Sequence, residues 1–277
     1  PAHFVLKLRH LLRRSPVDPQ YLTIGPSSNK RRIAVLSKPA RHAEKTGLFW
    51  LQGFKSQMMS VKATALSSWT DHNGLGFTRF DYSGHGLSSG SFEDGTISDW
   101  LEEAATVFCD CTKGPQIIVA SSMGGWLALL LLRQLLANDV PTAKRIRAMV
   151  MIAPAWDMTE ELMWKTASPE IKREITEKGV YLRPSDYDDV PYPITKSLID
   201  DGRRHLIGNT PFNPGRPIYI LHGALDPDVP FDHSLRLQRL LKGNHVTIEE
   251  VSDGEHRLAR PSDLARLYSA IECQLAR

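Results

Sequence analysis

Apolar positions along the 277-residue chain recur with two periods that take turns. Short runs rich in β-branched and aromatic residues predict strands over 21–25, 31–37, 48–51, 77–82, 116–121, 146–153, 217–221 and 245–251. The first two, separated by the turn-formers of 26–29, read as an opening hairpin. Helical spacing predicts helices over 56–72, with Met59, Ala63, Leu66 and Trp69 on one side, and over 97–111, 127–136, 231–241 and 261–275. Thr96 or Ser98 would open the second helix, with Asp99, Glu102 and Glu103 in its first turns, where the helix dipole favours acids. Strands alternating with helices predict an α/β fold, a mostly parallel central sheet flanked by helices. Residues 154–214 break the rhythm. They are rich in charge, proline and aromatics (Trp156, Trp164, Tyr181, Tyr187, Tyr192), with helical pieces at 158–167, 169–178 and 195–206. A small helical cap inserted at about 155–214, in a domain spanning 20–277, fits this break.

One stretch carries a chemical signal. The strand 116–121 climbs directly to Ser122, then Met123, Gly124, Gly125 and a helical run. A serine between strand and helix sits on a strained turn that presents its hydroxyl above the sheet edge. The usual pattern is G-x-S-x-G; here it is A-S-S-M-G, with Ala120 keeping the first position small. A serine hydroxyl needs a base, and the base needs an orienting acid. Two later strands run into suitable loops, 217–221 into His222-Gly223-Ala224-Leu225-Asp226 and 247–251 into Ser252-Asp253-Gly254-Glu255-His256. Ser122, Asp226 and His256 thus follow three strands, at the carboxyl edge where open α/β sheets place their sites. Asp228 is the rival acid. His222, at a strand terminus, suits a structural hydrogen bond better than a base. The backbone N–H groups of Met123 and of Phe54, in the loop Gln52-Gly53-Phe54-Lys55 after the third strand, are the candidate oxyanion donors. His85, in Phe80-Asp81-Tyr82-Ser83-Gly84-His85-Gly86, precedes the serine and reads as loop scaffolding.

Composition narrows the setting. Hydrophobic content of 42% and charged content of 23% are ordinary for a globular protein, and a net charge of +3 argues against nucleic acid. Cys109, Cys111 and Cys273 form no paired framework and suggest free thiols in a reducing compartment. No apolar run approaches the roughly 20 residues needed to span a membrane. Residues 1–15 interleave leucines with Lys7, Arg9, Arg13 and Arg14 and hold no acid. They read as a docked extension, a mitochondrial transit peptide, or a weak contact with an anionic membrane surface.

The elbow with its flanks (GPQIIVASSMGGWLALL), the loop FDYSGHGLSSG and the segments EKGVYLRPSDY and YPITKSLIDDG resemble the α/β-hydrolases grouped with the mitochondrial palmitoyl-protein thioesterase and acyl-glucuronide esterases, and their bacterial relatives. The resemblance covers about residues 20–277. It implies the α/β-hydrolase fold, Ser122 as nucleophile, Asp226 as acid, His256 as base, and small-molecule or acyl-protein esters and thioesters as substrates. It departs from the family at Ala120 and partly at Lys55-Ser56-Gln57-Met58. No metal or organic cofactor is called for. Met158, Leu162 and Trp164 are candidates to shape an acyl channel. A serine at the elbow argues against dehalogenase or epoxide hydrolase chemistry. A non-catalytic binding module on the same fold, or a peptidase or C–C hydrolase using the same three residues, are the other expectations. The compartment reads as cytoplasmic of bacterial type, with the mitochondrial matrix as the alternative.

Overall fold

In a computed structural model, residues 18–42, 45–184, 191–243 and 245–277 are described; the basic segment 1–15 and Tyr187 lie outside them. The sheet strands are β1 (Gln20–Ile24), β2 (Arg31–Lys38), β3 (Gly47–Leu51), β4 (Phe77–Phe80), β5 (Gln116–Ser121), β6 (Ile146–Ile152), β9 (Ile218–Gly223) and β10 (Val246–Val251). A cap hairpin supplies β7 and β8, given below. The eight sheet strands lie in the order β1-β2-β4-β3-β5-β6-β9-β10. β1, β2 and β4 pair antiparallel in turn, and every other pairing is parallel.

Both faces of this sheet are covered, which is why its central strands read as continuous apolar runs rather than as alternating ones. Phe49, Leu51, Ile118, Ala120, Met149 and Met151 point to one face. There they meet the helices α2 (Ile97–Cys111), α3 (Met123–Asn138) and, through Leu237, α7 (Phe231–Leu240). Their neighbours Leu48, Trp50, Ile117, Val119, Ala148 and Val150 point to the other. That face is covered by α1 (Val61–Asn73) and α8 (Pro261–Leu275), through Ala63, Leu66, Leu267 and Ile271. The period-two alternation of side chains therefore builds two cores from one set of strands.

Some elements depart from the sequence pattern. α1 begins at Val61, not at residue 56, and Met59 is exposed rather than packed. The reason is long-range: the Met58 N–H is held by the Asp81 carboxylate, 2.6 Å away, which keeps this segment out of the helix. α2 is capped by Thr96, whose Oγ1 accepts the Asp99 N–H, while Ser98 binds Asp201 instead. Glu103 does not face solvent near the helix start. It is fully buried, bonded to Arg31 and to the Ser83 N–H, and burial raises its pKa to about 7 against the pull of Ser83 and Arg31.

A short helix α4 (Val140–Ala143) precedes β6. Between β6 and β9 the chain forms a π-helical turn (Thr159–Trp164), α5 (Pro169–Lys178) and α6 (Lys196–Gly202). It also forms an antiparallel pair, β7 (Val180–Arg183) and β8 (Tyr192–Thr195), that the helical reading of this segment omits. Ser98 N–H and Oγ bind Asp201 and tie the insertion to the body, while the Ile207 and Gly208 N–H groups bind the buried Asp157 carboxylate and close the insertion on itself. Among the described residues no helix is long and apolar enough to cross a membrane, and the three cysteines are unpaired.

Candidate active site

Ser122 closes β5 and opens α3 with φ 54° and ψ −120°, a region that non-glycine residues rarely occupy. The surrounding packing holds it there. Its N–H bonds the Ile152 carbonyl at 2.9 Å, and its own carbonyl accepts from Gly125 and Ala155. A side chain at Gly124 would collide with the Leu51 carbonyl, and one at Gly125 would come within 2.6 Å of Pro154. The two glycines thus let the helix start against the ends of β3 and β6. Ala120 is fully buried between Leu51 of β3 and Met151 of β6, where a methyl fits.

Asp226 and His256 follow β9 and β10, and the structure brings both to the serine. His256 Nε2 lies 3.1 Å from Ser122 Oγ, and His256 Nδ1 lies 2.7 Å from Asp226 Oδ2. The carboxylate accepts at Nδ1–H, so Nε2 is left to accept the serine proton. Asp226 Oδ1 is filled by the N–H groups of Asp228 (2.9 Å) and Val229 (2.8 Å). Burial alone would raise the Asp226 pKa; hydrogen bonds from His222, His256 and Val229 and the charge on His256 outweigh it and hold the carboxyl well below the usual range. His222 is fully buried, with Nε2 donating to the Val229 carbonyl at 2.8 Å and Nδ1 accepting from Ser234 at 2.6 Å. Its role is structural, as its strand-end position suggests. Asp228 sits on the cleft wall, 3.9 Å from Arg183, while Asp226 carries the bond to His256.

The loop after β3 lies against the serine. A Cβ on Gly53 would stand 3.1 Å from Ser122 Cβ, so the absence of a side chain sets how closely this loop approaches. Two residues of the loop after β4 support it: His85, as the scaffolding expected from the sequence, and Asp81, whose part the sequence pattern does not specify. The buried Asp81 binds the Met58 and Leu87 N–H groups. His85 accepts the Lys55 N–H at Nε2 (3.2 Å) and donates Nδ1–H to the Ser83 carbonyl (3.0 Å). Burial lowers the His85 pKa to about 4, the Ser83 bond opposing. Its value therefore lies below the roughly 6.5 of an unfolded histidine. The neutral ring stabilises the fold fully above pH 6.5, and this contribution is lost as pH falls toward 4. Wild-type protein is expected to lose up to about 3 kcal/mol more stability between pH 6.5 and 4 than His85→Gln. Urea unfolding at the two pH values measures this, and parallel losses in the two proteins would refute it.

Ser122 and His256 open into a cavity of about 520 Å³. Phe54, Met158, Leu162, Met163 and Tyr192 supply apolar wall. Of the three residues expected to shape an acyl channel, Met158 and Leu162 do line it. Trp164 does not; it lies between Lys172 and Arg203, 5.9 and 4.8 Å from their charged groups, because cation–π contacts on the insertion claim its faces.

An eight-stranded, mostly parallel sheet with a serine on a strand-to-helix elbow, an acid and a histidine after later strands, and an insertion after β6 defines a class. The alpha/beta hydrolase family model matches residues 47–267, and the chain belongs to that family. It is 29% identical over 273 residues to the palmitoyl-protein thioesterase ABHD10, mitochondrial, of Bos taurus, covering 95% of this chain and 85% of that one. With the Homo sapiens protein of the same name it shares 30% identity over 227 residues, 82% of this chain and 72% of that one. Among solved structures, one from Agrobacterium vitis S4 described as a hydrolase superposes with a TM-score of 0.90 at 38% identity, covering 94% of this chain and 99% of that one. Mouse alpha/beta hydrolase domain-containing protein 10 superposes with a TM-score of 0.79 at 27% identity, covering 93% and 98%.

Proposed function

We propose that the protein is a serine hydrolase that cleaves acyl esters or thioesters through an acyl-enzyme on Ser122. The observation that carries this reading is the unbroken hydrogen-bonded chain from Ser122 Oγ through His256 to Asp226 at the carboxyl edge of the sheet. His256 takes the serine proton as Oγ attacks the acyl carbonyl. Asp226 fixes the imidazole tautomer and stabilises the imidazolium. The N–H of Met123, the first residue of α3 and so without an intrahelical acceptor, and the N–H of Phe54 stabilise the oxyanion. His256 then gives its proton to the departing thiol or alcohol. Water, deprotonated by His256, attacks the acyl-serine and releases the acid, which restores the serine.

The apolar wall of Met158, Leu162 and Met163 suits an acyl chain, and the names of the ABHD10 relatives support acyl-protein thioesters, hence depalmitoylation, within this substrate class. The Asp226, Asp228 and His256 donor atoms lie within 4.8 Å of one another, but a cation drawn there would compete with the Asp226–His256 bond, so the reaction runs without metal. Purified protein assayed side by side on a palmitoyl-cysteine thioester peptide, a 4-nitrophenyl ester and the matched amide peptide tests the reading. Turnover of thioester and ester but not amide is expected; cleavage of the amide alone would overturn it in favour of a peptidase. The 38% identity to the Agrobacterium vitis structure, against 29–30% to the mitochondrial relatives, supports the cytoplasm of a bacterial-type cell over the mitochondrial matrix; a reporter fused to residues 1–19 that enters the mitochondrial matrix would overturn that reading in favour of a transit peptide.

A further inference from the structure

The first turn of α1 forms part of the cleft wall through Ser60, Val61 and Lys62. Several independent features meet there. This helix of 13 residues has no acid in its first turn, and its N-cap Ser60 makes no capping hydrogen bond, so the positive end of the helix dipole and its first N–H groups are left uncompensated by the chain. The Ser60 Oγ is itself buried, with no hydrogen-bond partner among the described residues, which is costly for a hydroxyl. Lys62 directs its ammonium to the carbonyl of Arg257, the residue after His256, and among the described residues no carboxylate stands within ion-pair distance of it. Enclosure and the charge of Arg257 lower the lysine to about 8, Asp263 opposing, so that it is still charged at neutral pH. Among the described residues of the cleft wall, four cations, Lys55, Lys62, Arg183 and Arg257, stand beside one carboxylate, Asp228.

Apart from the apolar Val61 side chain, this turn offers backbone N–H donors, a hydroxyl and a positive charge. We propose that the N-terminal turn of α1, with Ser60 and Lys62, is an anion subsite of the cleft that takes a carboxylate or phosphate carried by the ester or thioester whose acyl carbon reaches Ser122. The proposal rests on the serine-hydrolase reading and deepens it: the cleft would select substrates with an apolar part against the insertion and an anionic part at α1. Lys62 also holds the loop that presents His256, so a purely structural role for it is the competing explanation. The two differ in what they do to selectivity. A clamp on the His256 loop affects every substrate alike, whereas an anion subsite affects charged ones only.

Two matched pairs of esters separate them and locate the anion. 4-Nitrophenyl valerate and mono-4-nitrophenyl glutarate differ by a carboxylate on the acyl chain. Phenyl butyrate and 3-butyryloxybenzoate differ by one on the leaving group. After normalising to the alkaline hydrolysis rates, wild-type protein is expected to favour the anionic member of one pair by about tenfold in kcat/KM. Lys62→Met should bring that ratio close to one, Ser60→Ala should lower it by about threefold, and Lys62→Arg should retain most of it. Inorganic phosphate should inhibit the wild type competitively against the favoured anionic ester. A wild-type ratio near one in both pairs, or a ratio that Lys62→Met leaves in place, would overturn the subsite. If Lys62→Met does not fold, the Ser60→Ala ratio and phosphate inhibition of the wild type decide: an unmoved ratio without inhibition overturns it. Failure of the underlying reading looks different, as no ester of either pair would then depend on Ser122.

Discussion

Replacing Ser122 with alanine is expected to lower ester turnover by a factor on the order of 10⁴ to 10⁶ while leaving the folded structure intact. Among the described residues the hydroxyl has one partner, His256 Nε2, and it has no part in the hydrogen bonds that hold the elbow, which are made by backbone atoms of Ser122, Gly125, Ile152 and Ala155. Alanine must adopt the same φ of 54°, so backbone strain is unchanged between the two residues. The circular dichroism spectrum and urea midpoint should therefore match those of the wild type. Residual turnover would come from the oxyanion donors and substrate binding alone. A variant that keeps more than about a hundredth of wild-type activity with the fold intact would remove Ser122 from the reaction.

Asp226→Asn is expected to cost about 10⁴ in kcat, through a tautomer rather than through a lost contact. Oδ1 of Asp226 accepts the N–H groups of Asp228 and Val229. An asparagine must keep its only oxygen at that position, which turns its amide NH₂ toward His256. His222 Nε2–H, 3.5 Å from Oδ2, reinforces the problem, because it too now faces a donor. His256 Nδ1 can then only accept, its proton moves to Nε2, and the ring no longer accepts from Ser122. The companion variant Asp228→Asn leaves this geometry in place and should retain turnover within a few-fold. Steady-state kinetics on both variants decide between the two acids; a larger loss from Asp228→Asn would reverse the assignment.

Much of this was legible in the sequence, for identifiable reasons. A strand buried on both faces must be apolar throughout, so β3, β5 and β6 declare themselves. The elbow is legible because its packing excludes side chains at Gly124 and Gly125, whereas Ala120 shows that the position two before the serine needs only to be small. The meeting of Asp226 and His256 at Ser122 is legible from their order after strands. His85 is legible as loop scaffolding, but its partner and the part of Asp81 are not, since the support beneath the loop after β3 consists of side chain to backbone bonds across 23 and 30 residues, Asp81 to Met58 and His85 to Lys55. Those same bonds moved the start of α1. The pairing of β7 with β8 and the burial of Glu103 under Ser83 likewise depend on partners remote in the chain. Trp164 misled because an apolar side chain in an insertion has two destinations, the cleft or its own helices, and spacing does not distinguish them.

The central claim is that Ser122 is a hydroxyl activated by His256. It is tested most directly by incubating the protein with a fluorophosphonate and mapping the adduct by mass spectrometry of the digested chain. One phosphonyl group per chain, on the peptide that contains Ser122 and absent from Ser122→Ala and strongly slowed in His256→Ala, is the result predicted. An unlabelled protein, or a label carried by another residue, would contradict it.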